Sequence, residues 1–174
     1  MTEITGATTN LGNKSGSATN INGINIVSYR GEENFWGNFW KWVDGLNIEA
    51  KGLHNLYVAD HGFADDIGSD PYKDAGITLA KANGYISAFA YNEEFDWLFF
   101  ASETVGNSSL PVGDYFYQNN TYNGWFTALL GGAWDGGAWD GGSSAGGFGW
   151  RVFNASSSRS RYRGGRLVYV PNVA

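Results

Sequence analysis

Apolar and polar residues alternate over short stretches through most of the chain. Such alternation, and short runs of β-branched and aromatic residues, are typical of β-strands that bury one face. On this basis strands are predicted at residues 24–29, 46–50, 53–60, 85–91, 114–118, 124–130 and 166–170. Residues 77–82 fit either a strand or a short helical turn, and the apolar run Trp97–Phe100 predicts burial.

One segment departs from this alternation and has the spacing of a helix. Between residues 32 and 43, apolar residues recur at positions i, i+1, i+4, i+5 and i+8, namely Phe35, Trp36, Phe39, Trp40 and Val43. This spacing places them on one helical face, and Glu32 and Glu33 favour the positively polarised start of a helix. The helix is expected to pack beneath a sheet. The alternative is an exposed aromatic helix that docks onto a partner.

Glycine-rich and polar stretches flank the predicted core. Residues 1–23 are rich in Thr, Asn, Gly and Ser and are interpreted as a flexible or attachment arm, which leaves 24–174 as the folded domain. Residues 131–149 contain nine glycines, including the tandem repeat GGAWD–GGAWD, and residues 155–163 are a second polar loop. Regular helices and strands do not tolerate this glycine density. The sequence therefore predicts an α+β domain with short strands, one or two helices and long glycine-rich C-terminal loops.

Charge and composition exclude several classes of function. The net charge is −6, and all 17 acidic residues precede Arg151, whereas residues 151–174 hold five arginines and no acid. The acidic body argues against nucleic-acid binding, which depends on neutralising phosphates. The absence of cysteine removes disulfide, thiolate-metal and thiol redox chemistry. No apolar run reaches about 18 residues, so no membrane span is predicted, and from the polar residues at the N-terminus no secretory signal is predicted.

Residues that could carry catalysis are few. His54 lies within a predicted strand, and His61 lies in a loop with three aspartates whose spacing matches no strong metal-loop pattern. Carboxylates are grouped at 93–96 and at Asp135 with Asp140, as a glycosidase would need, but acids on loops are usually solvated. The sequence has no nucleophile elbow, phosphate loop or dinucleotide fingerprint. The chain is therefore predicted not to be an enzyme and to need no metal or cofactor.

The last third of the chain has the composition of a binding surface. Tyr, Trp and Arg are mixed there with Ser, Gly and Asn, as in adaptable paratopes, where rigid rings supply contact area and small residues allow unusual turns. The alternative for the tryptophans is a place in the core, which is the expectation for Trp125, Trp134 and Trp150. Exposure is expected at four residues that lie between glycine pairs: Trp139, Asp140, Ser143 and Ser144.

Several motifs in this region resemble those of a known family. They are GDYFYQN at 113–119, ALLGG at 128–132, AGGFGW at 145–150, NASS at 154–157 and GGRLVYVP at 164–171. Together with SYRGEENFWGNFWKWVDGLNI at 28–48, they resemble the variable proteins of diversity-generating retroelements found in phages and in prophages of gut bacteria. The resemblance covers most of residues 24–171 and implies a C-type lectin-like fold. The doubled GGAWD is a departure that lengthens one loop.

In that family a reverse transcriptase copies a template with errors at adenines, and the copy replaces the 3′ end of the gene. The resemblance therefore implies a fixed scaffold that displays altered side chains, with a variable region at about 115–163. The implied scaffold positions are Trp134, Phe148, Trp150, Gly164, Gly165, Arg166 and Leu167. The implied ligand-binding, variable positions are Tyr117, Asn119, Tyr122, Phe126, Asp135, Trp139, Asp140, Ser143, Ser144, Arg151, Phe153, Arg159, Arg161 and Tyr162.

The predicted function is receptor recognition. The resemblance implies a phage tail-fibre tip adhesin in the virion, with display at a bacterial cell surface as the alternative. The expected partners are a host cell-surface receptor, either protein or glycan, and other virion tail proteins. A homotrimer suits a fibre tip, although the residues leave the oligomeric state open. Two further hypotheses are a carbohydrate-binding lectin of fixed specificity and a structural virion protein whose glycine loops pack between subunits.

Overall fold

The computed structural model describes residues 6–109, 112–134 and 144–165. Nearly all regular structure in these ranges is β-strand. The strands are β1 (Gly16–Thr19), β2 (Asn25–Tyr29), β3 (Glu32–Glu33), β4 (Trp40–Ala50), β5 (His54–Val58), β6 (Lys73–Thr78), β7 (Gly84–Tyr85), β8 (Ala88–Phe89), β9 (Ala101–Glu103), β10 (Tyr115–Phe116), β11 (Gly124–Leu130), β12 (Trp150–Asn154) and β13 (Arg163–Gly164). The helical elements of the described residues are two 3₁₀ turns, Thr9–Leu11 and Glu93–Phe95. The predicted α+β class with one or two helices is therefore wrong.

The segment predicted as a helix, residues 32–43, instead contains β3, an irregular turn at residues 34–39 and the first residues of β4. Within this turn Asn34 and Gly37 have positive φ angles of 54° and 78°, which interrupt a right-handed helix. The backbone N–H of Gly37 donates to the carbonyl of Gly131 at 2.8 Å, and that of Trp40 donates to the carbonyl of Tyr162 at 2.9 Å. Pairing with distant parts of the chain therefore overrides the helical spacing of the aromatic residues.

Strand β4 is the centre of the main sheet, whose order is β12-β11-β4-β5-β6. It pairs antiparallel with β11 and β5, and its first residues pair in parallel with β13. One face of this sheet carries the larger hydrophobic core, which residues 79–116 help to cover. Large, fully buried side chains of this core are Ile48, Leu56, Leu79, Phe100, Phe116 and Val152.

The other face of the sheet carries a smaller, aromatic cluster. Along β11, Ala128 belongs to the larger core and Leu129 to the second cluster; along β12, Val152 and Phe153 divide in the same way. Successive strand residues point to opposite faces, so the two clusters lie on opposite sides of the sheet. The buried members of the second cluster are Trp40, Tyr117, Leu129 and Ala133.

A bulge in β4 shapes this second face. Between Thr127 and the next residue of β11, the pairing with β4 jumps from Asn47 to Val43. Gly45 lies in the bulge with a φ angle of 80°, and its carbonyl accepts a hydrogen bond from the backbone N–H of Ala59 at 2.9 Å. A Cβ atom at this position would overlap the carbonyl of Ala59. Both the backbone conformation and the close approach therefore require glycine.

Asn47 holds the loop that follows β5, residues 59–72, against the sheet. Its side chain is buried, and its amide donates to the carbonyls of Ala64 and Ile67 at 2.9 and 3.0 Å. The hydroxyl of Tyr72 accepts from the backbone N–H of Ala64 at 3.2 Å. Because a buried amide left without partners costs roughly 1–3 kcal/mol, these contacts give loop 59–72 a defined position.

Part of the predicted N-terminal arm is attached to the domain. Residues 16–19 form β1, which pairs antiparallel with β2 in a three-stranded sheet with β3. The backbone N–H and the hydroxyl of Thr8 both donate to the carboxylate of Glu33, at 2.9 and 2.8 Å. The boundary at residue 23 stays a prediction.

Several strand predictions are confirmed. β2 and β5 lie within the predicted segments, and β11 has the predicted bounds. In the run Trp97–Phe100, by contrast, Trp97 and Phe99 are 58% and 48% exposed, so the prediction of burial is wrong for these two. The predicted strand at 166–170 lies outside the described residues. In the described ranges, no helix is long and apolar enough to cross a membrane.

Gly45→Ala tests the close approach at the bulge, and Gly52→Ala is its matched control. The two glycines have φ angles of 80° and 79°, but a Cβ at Gly52 would meet no atom within 4 Å. Left-handed strain, about 1–2 kcal/mol, is therefore common to both variants. Overlap with Ala59 should cost Gly45→Ala a further ~1–3 kcal/mol of unfolding free energy. Urea unfolding measures both losses, and equal losses would contradict the tight contact.

Candidate functional site

The described ligand-binding candidates divide into surface and buried residues. Those that are exposed or partly exposed are Asn119, Tyr122, Arg151, Phe153, Arg159, Arg161 and Tyr162. Those that are buried, against the expectation that all face solvent, are Tyr117, Phe126 and Ser144. Those that lie outside the described residues are Asp135, Trp139, Asp140 and Ser143.

The buried candidates are part of the packed interior. The ring of Tyr117 meets the ring of Trp40 edge to face at 5.6 Å, and its backbone N–H donates to the carbonyl of Trp150 at 2.8 Å. Phe126 belongs to the larger core, and Ser144 is 2% exposed. Exposure is therefore wrong for these three residues, because packing rather than the composition of a loop decides where each side chain points.

Arginine and aromatic side chains pair on the exposed part of this region. The guanidinium of Arg151 lies 4.5 Å from the ring centroid of Phe153, and the Tyr122 ring lies 6.4 Å from the same ring. The guanidinium of Arg161 lies 5.4 Å from the ring of Trp134. Each exposed cation–π contact contributes roughly 0.5–1 kcal/mol, which favours a defined arginine position. These five residues are called the arginine–aromatic group below.

Hydrogen bonds fix the described ends of the glycine-rich segment. The carbonyl of Gly131 accepts from the N–H of Gly37 at 2.8 Å, and its own N–H donates to the carbonyl of Gly149 at 2.9 Å. The N–H of Trp134 donates to the carbonyl of Asn38 at 3.2 Å. The segment is thereby anchored to the turn before β4 and to the start of β12.

Two of the predicted scaffold residues, Trp150 and Phe148, contact other aromatic rings. The ring of Trp150 stacks on Phe100 with centroids 4.2 Å apart, and its indole N–H donates to the carbonyl of Phe99 at 2.9 Å. Phe148 is 37% exposed and contacts the rings of Phe89 and Phe99 at 5.6 and 5.4 Å.

The remaining scaffold predictions have mixed outcomes. Trp134 is 53% exposed, so its expected place in the core is wrong; Arg161 rather than the core covers its ring. Trp125, also expected in the core, is partly buried against Tyr57 at 5.4 Å. Gly164 lies in β13 and Gly165 follows it. The scaffold positions outside the described residues are Arg166 and Leu167.

Asp114 supports the end of the glycine-rich segment 131–149 that leads into β12. One of its carboxylate oxygens accepts from the N–H of Phe148 at 2.6 Å. Burial raises the pKa of this carboxyl above its ordinary value of 3.8, and the hydrogen bonds from the N–H groups of Phe148 and Gly149 oppose the shift. A Cβ at Gly146 would overlap the carboxyl group. The contact therefore depends on a glycine at that position.

A groove of about 480 Å³ lies between loop 59–72 and residues 156–159. Trp42 forms part of its base, and Phe63, which is 53% exposed, part of one wall. Side chains with polar ends on its lining are Asp44, Asp65, Ser156, Ser158 and Arg159. The groove thus combines aromatic surface with carboxylate, hydroxyl and guanidinium groups, the mixture found in small-molecule sites.

One side of this groove contains a residue predicted from the sequence to bind a ligand, and the other side does not. Arg159 is among the predicted ligand-binding residues, whereas Trp42 was assigned to the predicted helix and Asp65 to a solvated loop. No local pattern links these residues, because the β4 bulge and the anchored loop 59–72 bring them together. Only a correct register of β4 against β11 would have predicted the groove.

Two of the residues considered for catalysis, His54 and Glu94, lie in different settings, one buried and one on the surface. His54 is 2% exposed; burial lowers its pKa, and a backbone hydrogen bond with Asn119 opposes this. Glu94 pairs with Lys73 at 2.8 Å on the surface. No group of three or more His, Asp or Glu side chains among the described residues could hold a metal ion.

Asp114→Asn tests the buried carboxyl through the pH dependence of stability. A folded-state pKa above the unfolded value means that the native state binds the proton more tightly. The contribution of Asp114 is therefore fully present below its ordinary pKa of 3.8 and is lost as pH rises through the folded pKa. Relative to the native protein, Asp114→Asn should gain unfolding free energy between acid and neutral pH. A difference independent of pH, measured by urea unfolding, would contradict the raised pKa.

Comparison with known proteins identified no relative of this chain. No protein-family model, curated protein or solved structure matches this chain. The resemblance to retroelement variable proteins therefore stays a prediction from the motifs, and the function has to be argued from the site.

Proposed function

We propose that this chain is a receptor-binding protein whose C-terminal region recognises a ligand on a host cell surface. One observation carries the proposal: exposed arginine and aromatic side chains are attached to backbone that distant hydrogen bonds hold in place. A surface of this kind can contact a partner without first paying the entropy of ordering its own backbone.

The backbone beneath the arginine–aromatic group is held from several directions. The N–H of Val152 donates to the carbonyl of Tyr117 at 2.9 Å, so β12 is bound on one side to residue 117 and on the other to β11. The polar loop 155–163 ends where the carbonyl of Tyr162 accepts from Trp40. Side chains on β12 and on this loop therefore start from fixed positions.

The side chains of this surface are those that dominate protein interfaces. Trp, Tyr and Arg are enriched among the residues that carry most of the binding energy. In the described chain Arg151 and Arg161 are already paired with aromatic rings, which reduces the rotamer entropy lost when a ligand binds. This chemistry suits either a protein or a glycan receptor.

We further propose that the exposed positions are diversified by a retroelement. Substitution at surface positions usually changes stability by about 0.5 kcal/mol or less, so side chains such as Tyr122 and Arg159 can change while the fold persists. On this proposal the protein is displayed at a phage tail-fibre tip with other tail proteins, or at a bacterial cell surface. The quoted motifs support this display, and the buried strands provide the constancy that it needs.

Sequencing the 3′ end of the gene across many genomes, or in a passaged population, tests diversification. Substitutions are expected to cluster in residues 115–163 at codons that derive from adenines. The buried Tyr117, Phe126 and Ser144 should vary less than the exposed positions, because core changes are costly. A uniform 3′ end, with changes scattered over the whole chain, would contradict the proposal and favour a fixed lectin or a structural virion protein.

Tyr122→Ala tests binding itself, with Tyr91→Ala as the matched control. Both tyrosines are exposed, by 49% and 75%, but Tyr91 lies outside the proposed binding region. In a cell-binding assay of the purified protein on a panel of bacterial strains, Tyr122→Ala should weaken binding at least about tenfold, as for an interface hot spot, and Tyr91→Ala should not. Equal binding by both variants, with unchanged thermal stability, would remove Tyr122 from the site.

A further inference from the structure

We propose that the groove between loop 59–72 and residues 156–159 is a saccharide site that takes an uncharged sugar residue of the receptor. Its role in receptor recognition rests on the proposed function; its ability to bind a sugar does not. The groove differs from the arginine–aromatic group in that one wall belongs to loop 59–72, outside the predicted variable region of 115–163. One wall is therefore constant and the other is open to diversification.

The lining matches the two kinds of surface that a pyranose presents. A sugar ring has an apolar C–H face and an edge of hydroxyl groups. Trp42 and Phe63 supply aromatic surface for the face, and aromatic rings provide large contact area at low entropic cost. Asp44 and Asp65 can accept from hydroxyl groups, and Arg159 can donate to them.

The two carboxylate acceptors of the groove, both outside the predicted variable region, are available to a ligand. Asp44 and Asp65 are exposed, and neither forms an ion pair with another described residue. Asp44 lies next to Gly45 in the β4 bulge, so the bulge that requires glycine also directs this part of β4 toward the groove. Hydrogen bonds to ionised acceptors are stronger than neutral ones.

The constant wall is preorganised. Asn47 holds loop 59–72 through its two buried amide hydrogen bonds, and Tyr72 adds a third contact to Ala64. A ligand that enters the groove meets a wall whose backbone is already ordered, which lowers the cost of binding. The volume of about 480 Å³ falls in the usual range of small-molecule sites, roughly 300–1,000 Å³.

Charge selects the class of sugar. The charged groups of the lining are two carboxylates, Asp44 and Asp65, and one guanidinium, Arg159, and the whole chain carries a net charge of −6. An anionic sugar would meet like charges that disfavour binding, whereas hydroxyl groups of an uncharged sugar can use both the carboxylates and the arginine. The proposal is therefore for neutral glycans, with sialylated glycans disfavoured.

Saturation-transfer NMR on the purified full chain tests this. The probes are the methyl glycosides of glucose, galactose and mannose, N-acetylglucosamine, and the pair lactose and sialyllactose. At least one neutral probe should show protein-dependent saturation, and sialyllactose should bind no more tightly than lactose. If no neutral probe binds, or if only sialyllactose binds, the proposal is overturned. Binding of an unrelated peptide in place of sugars would likewise assign the groove to another class of ligand.

Matched variants locate the bound sugar. Asp65→Asn should weaken binding of the neutral probe about tenfold, equivalent to roughly 1.4 kcal/mol. Asp66→Asn, a neighbouring exposed carboxylate that does not line the groove, should leave it unchanged. Arg159→Gln should also weaken binding, because Arg159 lines the same groove. If Asp65→Asn and Asp66→Asn act alike, or if Arg159→Gln has no effect, the sugar does not occupy the groove.

These results separate the two proposals. Sugar binding that depends on Asp65 together with an invariant 3′ end would retain the saccharide site and reject the diversified receptor-binding function. A variable 3′ end and Tyr122-dependent cell binding, with no sugar binding, would retain the diversified receptor-binding function and reject the saccharide site.

Discussion

The register of β4 against its three neighbours is the constraint on which the rest of the described structure depends. β4 pairs with β5, β11 and β13, so a one-residue shift in this pairing would turn core side chains to the wrong face. The bulge at Gly45 is the one place where this register changes, and it is tolerated because glycine adopts the required φ angle and approaches Ala59 closely. The same bulge leaves room on the second face for loop 59–72 and for the groove.

The two faces of the sheet differ in what packs against them. The larger core consists mainly of aliphatic and small residues packed beneath residues 79–116, and it stabilises the sheet. The second face carries the small aromatic cluster, and residues of the polar loop 155–163 and of loop 59–72 line the groove. A face covered by loops can present different side chains while the strands beneath stay the same. This division is what the proposed receptor binding requires.

Local patterns predicted β2, β5 and β11, whereas β1 and β12 lie in segments with no predicted strand, and the order in which the strands meet was not predicted. Residues 124–130 are a short run of mostly apolar residues, and β11 has those bounds. The helical spacing in residues 32–43 was misleading because it counts aromatic positions and ignores Asn34 and Gly37, whose positive φ angles break a helix. Tyr117 and Phe126 look like surface residues by composition yet are buried, since burial follows from pairing with residues far away in the chain. The groove depends on the same long-range contacts, so only Arg159 among its lining residues was predicted as a binding residue.

Burial also limits how far a diversified surface could extend. Of the described candidates, Tyr117, Phe126 and Ser144 support the interior, and a polar or larger side chain at these positions would destabilise the sheet that displays the others. Substitutions are therefore tolerated only at positions whose side chains are exposed to solvent. Arg159 is such a position, and it faces a wall whose acidic and aromatic groups do not lie in the predicted variable region. A change at this residue would alter one side of the groove while Asn47 keeps the other side in place, so that selectivity could change without loss of the site.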